Sequence, residues 1–246
     1  MQFLSDWKFW SVVISIVALI LSQLPPIIVW FKRAKLDLEL YSKISLTHKI
    51  GNPNVQMHLI LSNIGGRKIK IKKITAFIKR EGKLVAELPA VNFYQELGEK
   101  NTVLLTSFNL QPNDDWSHAV NFLNFYGREE EKKYRKFEGD IKNNIVEKRK
   151  DFETEPNKLI EADSDKVVPI INFFNEKYIW LAGEYEISVK IETDKTKADL
   201  YRNYRFTLFE YYEDELRKIT EEYKYGAGVF WDSTTKSAVI VDLKEA

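Results

Sequence analysis

A chain of 246 residues has room for a short anchor plus one domain of about 200 residues, long enough to bury a hydrophobic core without covalent staples. Its 37 Lys and Arg against 36 Asp and Glu leave a net charge of +1, and lysine outnumbers arginine 28 to 9. That balance argues against a dedicated nucleic-acid binder, and the absence of cysteine excludes disulfides, thiol catalysis, zinc-thiolate sites and iron–sulfur clusters.

The first predicted element is apolar throughout. Phe9 to Phe31 is a run of 23 residues without a charge, preceded by Lys8 and followed by Lys32, Arg33 and Lys35. As a helix it would measure about 35 Å, enough to cross a hydrocarbon core of about 30 Å. Trp7, Trp10 and Trp30 stand where interfacial belts would place them. A cleaved signal peptide would have a shorter apolar core and a small-residue exit. The run therefore reads as a single transmembrane helix.

Three features qualify that helix. Pro25 and Pro26 remove backbone donors and predict a kink. Ser11, Ser15, Ala18 and Ser22 share one face, with Gln23 beside them, so the stripe predicts close approach of another helix. The basic residues after the run place the large domain in the cytoplasm by the positive-inside rule, as a single-pass protein of the inner membrane.

From Lys35 onward the apolar pattern has period two, the mark of half-buried strands. Leu36, Leu38 and Leu40 alternate with polar residues, and Ile44 and Leu46 continue the series. Val55, Met57, Leu59 and Leu61 follow, closed by Asn63-Ile64-Gly65-Gly66. The next strand slips phase from Ile69 and Ile71 to Ile74, Ala76 and Ile78, which predicts a bulge near Lys72-Lys73. Further strands are predicted over 84–88, 102–110 and 116–123. After Gly183 comes the clearest alternation, Tyr185, Ile187, Val189 and Ile191, with Tyr204, Phe206 and Leu208 as its neighbour.

Between these groups the period becomes helical. Tyr134, Phe137, Ile141 and Ile145 mark a helix within 127–152, and a second is predicted over 167–178. A third, over 212–225, ends at Gly226, a natural C-terminal cap. A hairpin is expected over 229–243. Short strands at this spacing predict a mainly-β antiparallel sandwich over 35–246, with a helical insertion at 127–180 and a C-terminal helix. The transmembrane helix at 9–31 and a short tail at 1–8 precede it.

The run Leu61-Ser62-Asn63-Ile64-Gly65-Gly66, the turn Leu110-Gln111-Pro112-Asn113-Asp114-Asp115-Trp116 and the strand start Gly183-Glu184-Tyr185-Glu186-Ile187 resemble bacterial immunoglobulin-like modules. The resemblance covers roughly 35–126 and 181–210 and implies an immunoglobulin-like sandwich. It implies nothing about function.

No phosphate loop, dinucleotide fingerprint, nucleophile elbow or zincin motif occurs. The sequence points to no catalytic, cofactor or metal residue; His58 faces away from the apolar set, and Asp114-Asp115 read as turn formers. Basic side chains concentrate at Lys32, Arg33 and Lys35 and again at Lys68, Lys70 and Lys72, within a longer set from Arg67 to Lys83. On a membrane-anchored domain they would contact anionic lipid. The plainer expectation is that they guard an exposed strand edge.

The expected function is a non-enzymatic, membrane-anchored protein-interaction module: an adaptor, sensor or complex subunit. Its partners would be the lipid bilayer and another membrane or cytoplasmic protein, with a homo-oligomer possible and no nucleic acid. The alternative is a membrane effector whose helices oligomerise and perturb the bilayer.

Overall fold

The computed structural model describes residues 7–23, 33–96, 98, 101–152, 155, 158–233, 235 and 237–245. Its first helix, α1 (Trp7–Gln23), has 17 residues, a length of about 25 Å against a hydrocarbon core of about 30 Å. No helix among the described residues is long and apolar enough to cross a membrane. That finding corrects the expected single-pass transmembrane helix over 9–31. Pro25 and Pro26, the sites of the expected kink, and Lys32 lie outside the described residues.

The strands are β1 (Leu36–Leu40), β2 (Lys43–Lys49), β3 (Asn52–Asn63), β4 (Ile69–Arg80), β5 (Lys83–Tyr94), β6 (Val103–Leu104), β7 (Phe108–Leu110), β8 (Asp115–Leu123), β9 (Gly183–Thr193), β10 (Leu200–Leu208), β11 (Ala238–Asp242) and β12 (Lys244–Glu245). They form one antiparallel sheet in the order β11–β2–β3–β8–β5–β4–β9–β10–β12. β1 continues the edge begun by β2, pairing with the second half of β3. β6 lies on β5 and β7 on β4.

Two strands bring this sheet round on itself. β5 pairs with β4 as far as Pro89 and with β8 from Ala90, bending at a bulge between Ala90 and Asn92. β11 pairs with β2, whereas β12, just beyond it, pairs with β10. Leu243, between those two, donates its N–H to the Ser42 carbonyl at 2.7 Å. The ends of the sheet meet in one continuous segment, which makes a nearly closed barrel. This corrects the expected sandwich and the fold implied by the immunoglobulin-like resemblance. A sandwich stacks two sheets that keep separate edges, whereas strands that change partner mid-length remove most of those edges.

The period-two residues fill the interior. Val55, Met57, Leu59 and Leu61 of β3 are no more than 1 % exposed, and Tyr185, Ile187, Val189 and Ile191 of β9 are equally buried. The pairing of β4 with β9 shifts between Ile71 and Lys73, where the phase slip predicts a bulge. The extra residue keeps Ile69 and Ile71 on the same side as Ile74, Ala76 and Ile78, all buried.

The β2–β3 turn places Ile50 and Gly51 at φ +47° and +80°. For a β-branched residue the left-handed region costs about 1–2 kcal/mol. Ile50 is 2 % exposed, and burial of such a side chain returns about 1.5–3 kcal/mol. Burial wins. Gly51 is required for a different reason, since a Cβ there would stand 2.3 Å from the Phe174 carbonyl oxygen.

That carbonyl belongs to the helical layer. The layer comprises α2 (Arg128–Arg149), α3 (Ser164–Lys177) and α4 (Glu210–Arg217), the last continued by 3-10 turns over Lys218–Tyr225. α2 buries Tyr134, Ile141 and Ile145, and α3 buries Val167, Ile170, Phe173 and Phe174. The Tyr134 hydroxyl donates to the Val229 carbonyl at 2.9 Å, and the Trp180 indole donates to Thr47 at 2.8 Å. The helices thus cover the barrel end that carries the β2–β3 turn. The expected third helix is real but divided at Lys218, and Gly226 caps it at φ +81°. Where a terminal hairpin is expected, β11 has β2 for its partner and no hairpin is present among the described residues.

Candidate protein-interaction surface

β1 and β2 lie along the same edge of β3, but Tyr41 and Ser42 break the line between them. The Tyr41 N–H still reaches the His58 carbonyl at 3.1 Å, while the Ser42 carbonyl is turned to Leu243. On the outer face this break leaves a groove of about 790 Å³, well within the range of about 300–1,000 Å³ typical of binding pockets. Its floor comes from the outward residues of β3, Gln56, His58 and Ile60, with Ala119 of β8. Leu40 and Tyr41 form one wall and Ile240 of β11 the other.

Tyr41 and Ile240 are each 60 % exposed. Clustered apolar and aromatic side chains that stay in water on a rigid sheet are the usual mark of a contact site. Polar groups edge the floor. His58 Nε2 lies 2.8 Å from the Ser117 hydroxyl. A ladder of amides runs from Gln56 to Asn121 at 3.1 Å and on to Asn92 at 2.7 Å. The Lys43–Asp242 pair at the rim, 3.5 Å apart with both side chains more than half exposed, contributes little binding energy of its own.

The residues singled out from the sequence are distributed as follows. Ser11, Ser15 and Ala18 lie on the exposed surface of α1, and Ser11 and Ser15 border a shallow depression of about 300 Å³ with Val12, Ile16 and Leu19. The hydroxyls of Ser11, Ser15 and Ser22 donate back to the carbonyls of Lys8, Ser11 and Leu19 at 2.7–2.9 Å. They serve their own helix. Gln23 closes α1.

Lys70 and Lys72 point outward from β4, and Lys68 precedes them in the turn. Arg33 and Lys35 come to the same end of the barrel. Gly66 donates to the Arg33 carbonyl at 2.9 Å, and a Cβ on Gly65 would lie 2.5 Å from the Lys35 nitrogen. β4 is paired on both sides, so these lysines guard no free edge. Lys73 and Lys79 sit 3.9 Å from Glu87 and Glu186 on neighbouring strands, which breaks up the basic field.

No protein-family model matches the chain, and no curated protein is significantly similar to it.

All three histidines have structural partners. His58 is engaged with Ser117, and His118 Nδ1 lies 3.0 Å from the Tyr94 carbonyl. His48 accepts from the Gly51 N–H at Nδ1 and holds the Leu216 carbonyl from Nε2 at 2.8 Å. That arrangement assigns the Nε2–H tautomer. Burial keeps the ring below its ordinary pKa, opposed by the Leu216 bond and assisted by the Arg217 charge. Asp114 accepts from the Gln111 N–H at 2.8 Å, the turn-forming role read from the sequence. Among the described residues, no group of three acidic or histidine side chains is placed to hold a metal ion.

The groove residues Tyr41, Ile60 and Ile240 escape a reading by sequence. Ile60 carries the one available signal, an apolar residue on the outward face of β3 among Gln56, His58 and Ser62.

Proposed function

We propose that this protein is a non-enzymatic interaction module whose barrel presents a rigid apolar groove to a segment of another protein. The exposed groove between Tyr41 and Ile240 carries the reading. Burying two such side chains favours association by about 1.5–3 kcal/mol each, and five strands fix the groove in place before binding. Protein suits it better than nucleic acid, because its lining carries one acidic and one basic side chain, Glu39 and Lys43, with otherwise uncharged residues.

A photo-reactive amino acid at Tyr41 or Ile240, introduced into the full chain in its native cells, tests the proposal. We expect the same discrete protein adduct from both positions, lost when Ile60→Asp is added. Tyr201, 49 % exposed elsewhere on the barrel, serves as the control position. An adduct pattern shared equally with Tyr201, or no adduct from the groove, would overturn the proposal.

A further inference from the structure

β11 separates two depressions. On one side lies the groove described above, and on the other a cleft of about 550 Å³ between β11, β12, the end of β10 and the start of α4. One segment runs past both. From Ala238 to Lys244 exposed and buried residues alternate without a break, so Ile240, Asp242 and Lys244 share the outer face. At about 3.4 Å per residue, Lys244 stands about 14 Å from Ile240.

The far end of that line carries an unbalanced charge. Lys244 lies directly opposite Arg205 of β10, and like charges so placed destabilise a strand pair. Arg205 has Glu186 at 3.9 Å, with the two side chains 63 % and 41 % exposed, too open a pair to offset the repulsion. Lys244 forms no ion pair among the described residues. The carboxylates that line the cleft are engaged or turned away. Glu184 accepts from the Thr207 hydroxyl at 2.8 Å, and Asp242 is paired with Lys43. Glu245, opposite Tyr204, projects from the other face of its strand. What the two cations lack is a carboxylate. Beside them Tyr212 and the Phe209 ring, the latter half exposed, form an apolar wall.

A free small anion would meet the cations and leave the apolar wall and the groove unfilled. A protein segment fills all of them, because in an extended chain side chains four residues apart lie on one face at the same spacing of about 14 Å. Resting on the groove reading above, we propose that the bound segment is an extended strand with an apolar side chain against Ile240 and an Asp or Glu four residues along it. That carboxylate sits between Arg205 and Lys244.

The full chain in its native cells tests this, with a photo-reactive amino acid at Ile240 and a zero-length carbodiimide to join Lys244 to the carboxylate it touches. Lys244 should couple to an Asp or Glu of the same protein that the Ile240 probe captures, four residues from the captured position. Lys244→Glu should lower the Ile240 adduct about five-fold, the worth of one exposed ion pair, and Lys244→Arg should preserve it. Because Lys244→Glu sets an opposite charge against Arg205, its melting temperature should be equal or higher, which separates a lost adduct from lost folding. The inference is overturned by an Ile240 adduct that Lys244→Glu leaves unchanged, or by Lys244 coupling only within this chain or to a carboxylate remote from the captured residue. Either result leaves the groove reading standing. The absence of any Ile240 adduct removes both.

Discussion

The barrel turns its sheet at two places, and the two corners are built differently. At β5 the bending strand is held by its neighbour in sequence. The β4–β5 connection is the two-residue turn Glu81-Gly82, both left-handed at φ +48° and +75°, a geometry whose twist matches the strands it joins. β5 is therefore aligned on β4 from Arg80↔Lys83 before it crosses to β8. At β11–β12 nothing local helps. β11 must find β2, where Ser237 and Thr47 meet across 190 residues, and β12 touches β10 only at Tyr204 and Arg205. Closing so long a loop pays its entropy before any contact forms. One corner is set by a local turn, and the other is a latch made by segments remote in sequence.

The largest test of that contrast compares one buried leucine at each corner. Leu88 precedes the β5 bend and is 0 % exposed; Leu243 joins β11 to β12 and is 7 % exposed. Leu88→Ala should cost about 3–4 kcal/mol, because a cavity there has no route to collapse. Leu243→Ala should cost about 2 kcal/mol, since a short segment can shift to fill the space. Urea unfolding of both variants measures the difference. Equal losses would mean that the latch is as firmly packed as the hairpin corner.

The same contrast explains what the sequence reveals. The period-two runs name the inward residues of β3, β4 and β9, and the phase slip at Lys72-Lys73 locates a real bulge, because each depends only on neighbours along one strand. Closure depends on pairings that no local pattern encodes. Pro89 reads as the end of a strand, whereas it sits inside β5, near the bend where a missing N–H does least harm. The partnership of β11 with β2 leaves no trace in either segment. The candidate surfaces share that fate: the groove needs Tyr41 and Ile240, brought together only by closure. His48 is partly legible, for it has the same parity as the inward Ile44 and Leu46 of β2. The apolar run at its start misleads, since hydropathy registers composition along 9–31, whereas the described helix covers Trp7–Gln23.

His48 gives the next prediction, at the helix-covered end. Its ring lies edge-on to Phe174 and Tyr178 at 5.1 Å and 5.6 Å and binds the last turn of α4. Burial, and secondarily the neighbouring Arg217 charge, lower its pKa in the folded chain. The unfolded chain therefore takes up a proton near pH 6.5 that the folded chain refuses. The neutral ring's contribution is fully present above about pH 6.5 and is lost as the pH falls toward the lowered folded value, by at most about 1.4 kcal/mol per pH unit. Stability measured from pH 7 to pH 5 should fall more steeply for the native chain than for His48→Gln. Parallel slopes would mean that the ring titrates freely and does not clamp α4 to the barrel.

The smallest effect belongs to charge at the seam. Arg202 of β10 reaches Asp37 of β1 at 3.3 Å, across the gap that β12 only partly fills, with the two side chains 39 % and 40 % exposed. An ion pair so open to water is worth about 0.2–1 kcal/mol and weakens with salt. Asp37→Asn should therefore cost no more than about 0.5 kcal/mol, with the loss disappearing in high salt. The ranking of Asp37→Asn against Leu243→Ala then decides how the barrel is shut. A larger loss for the charge variant would mean that the seam is held by electrostatics, with Leu243 merely occupying it. The expected order makes the latch a matter of buried surface, so that closure should tolerate salt and fail when β11 and β12 lose their apolar side chains.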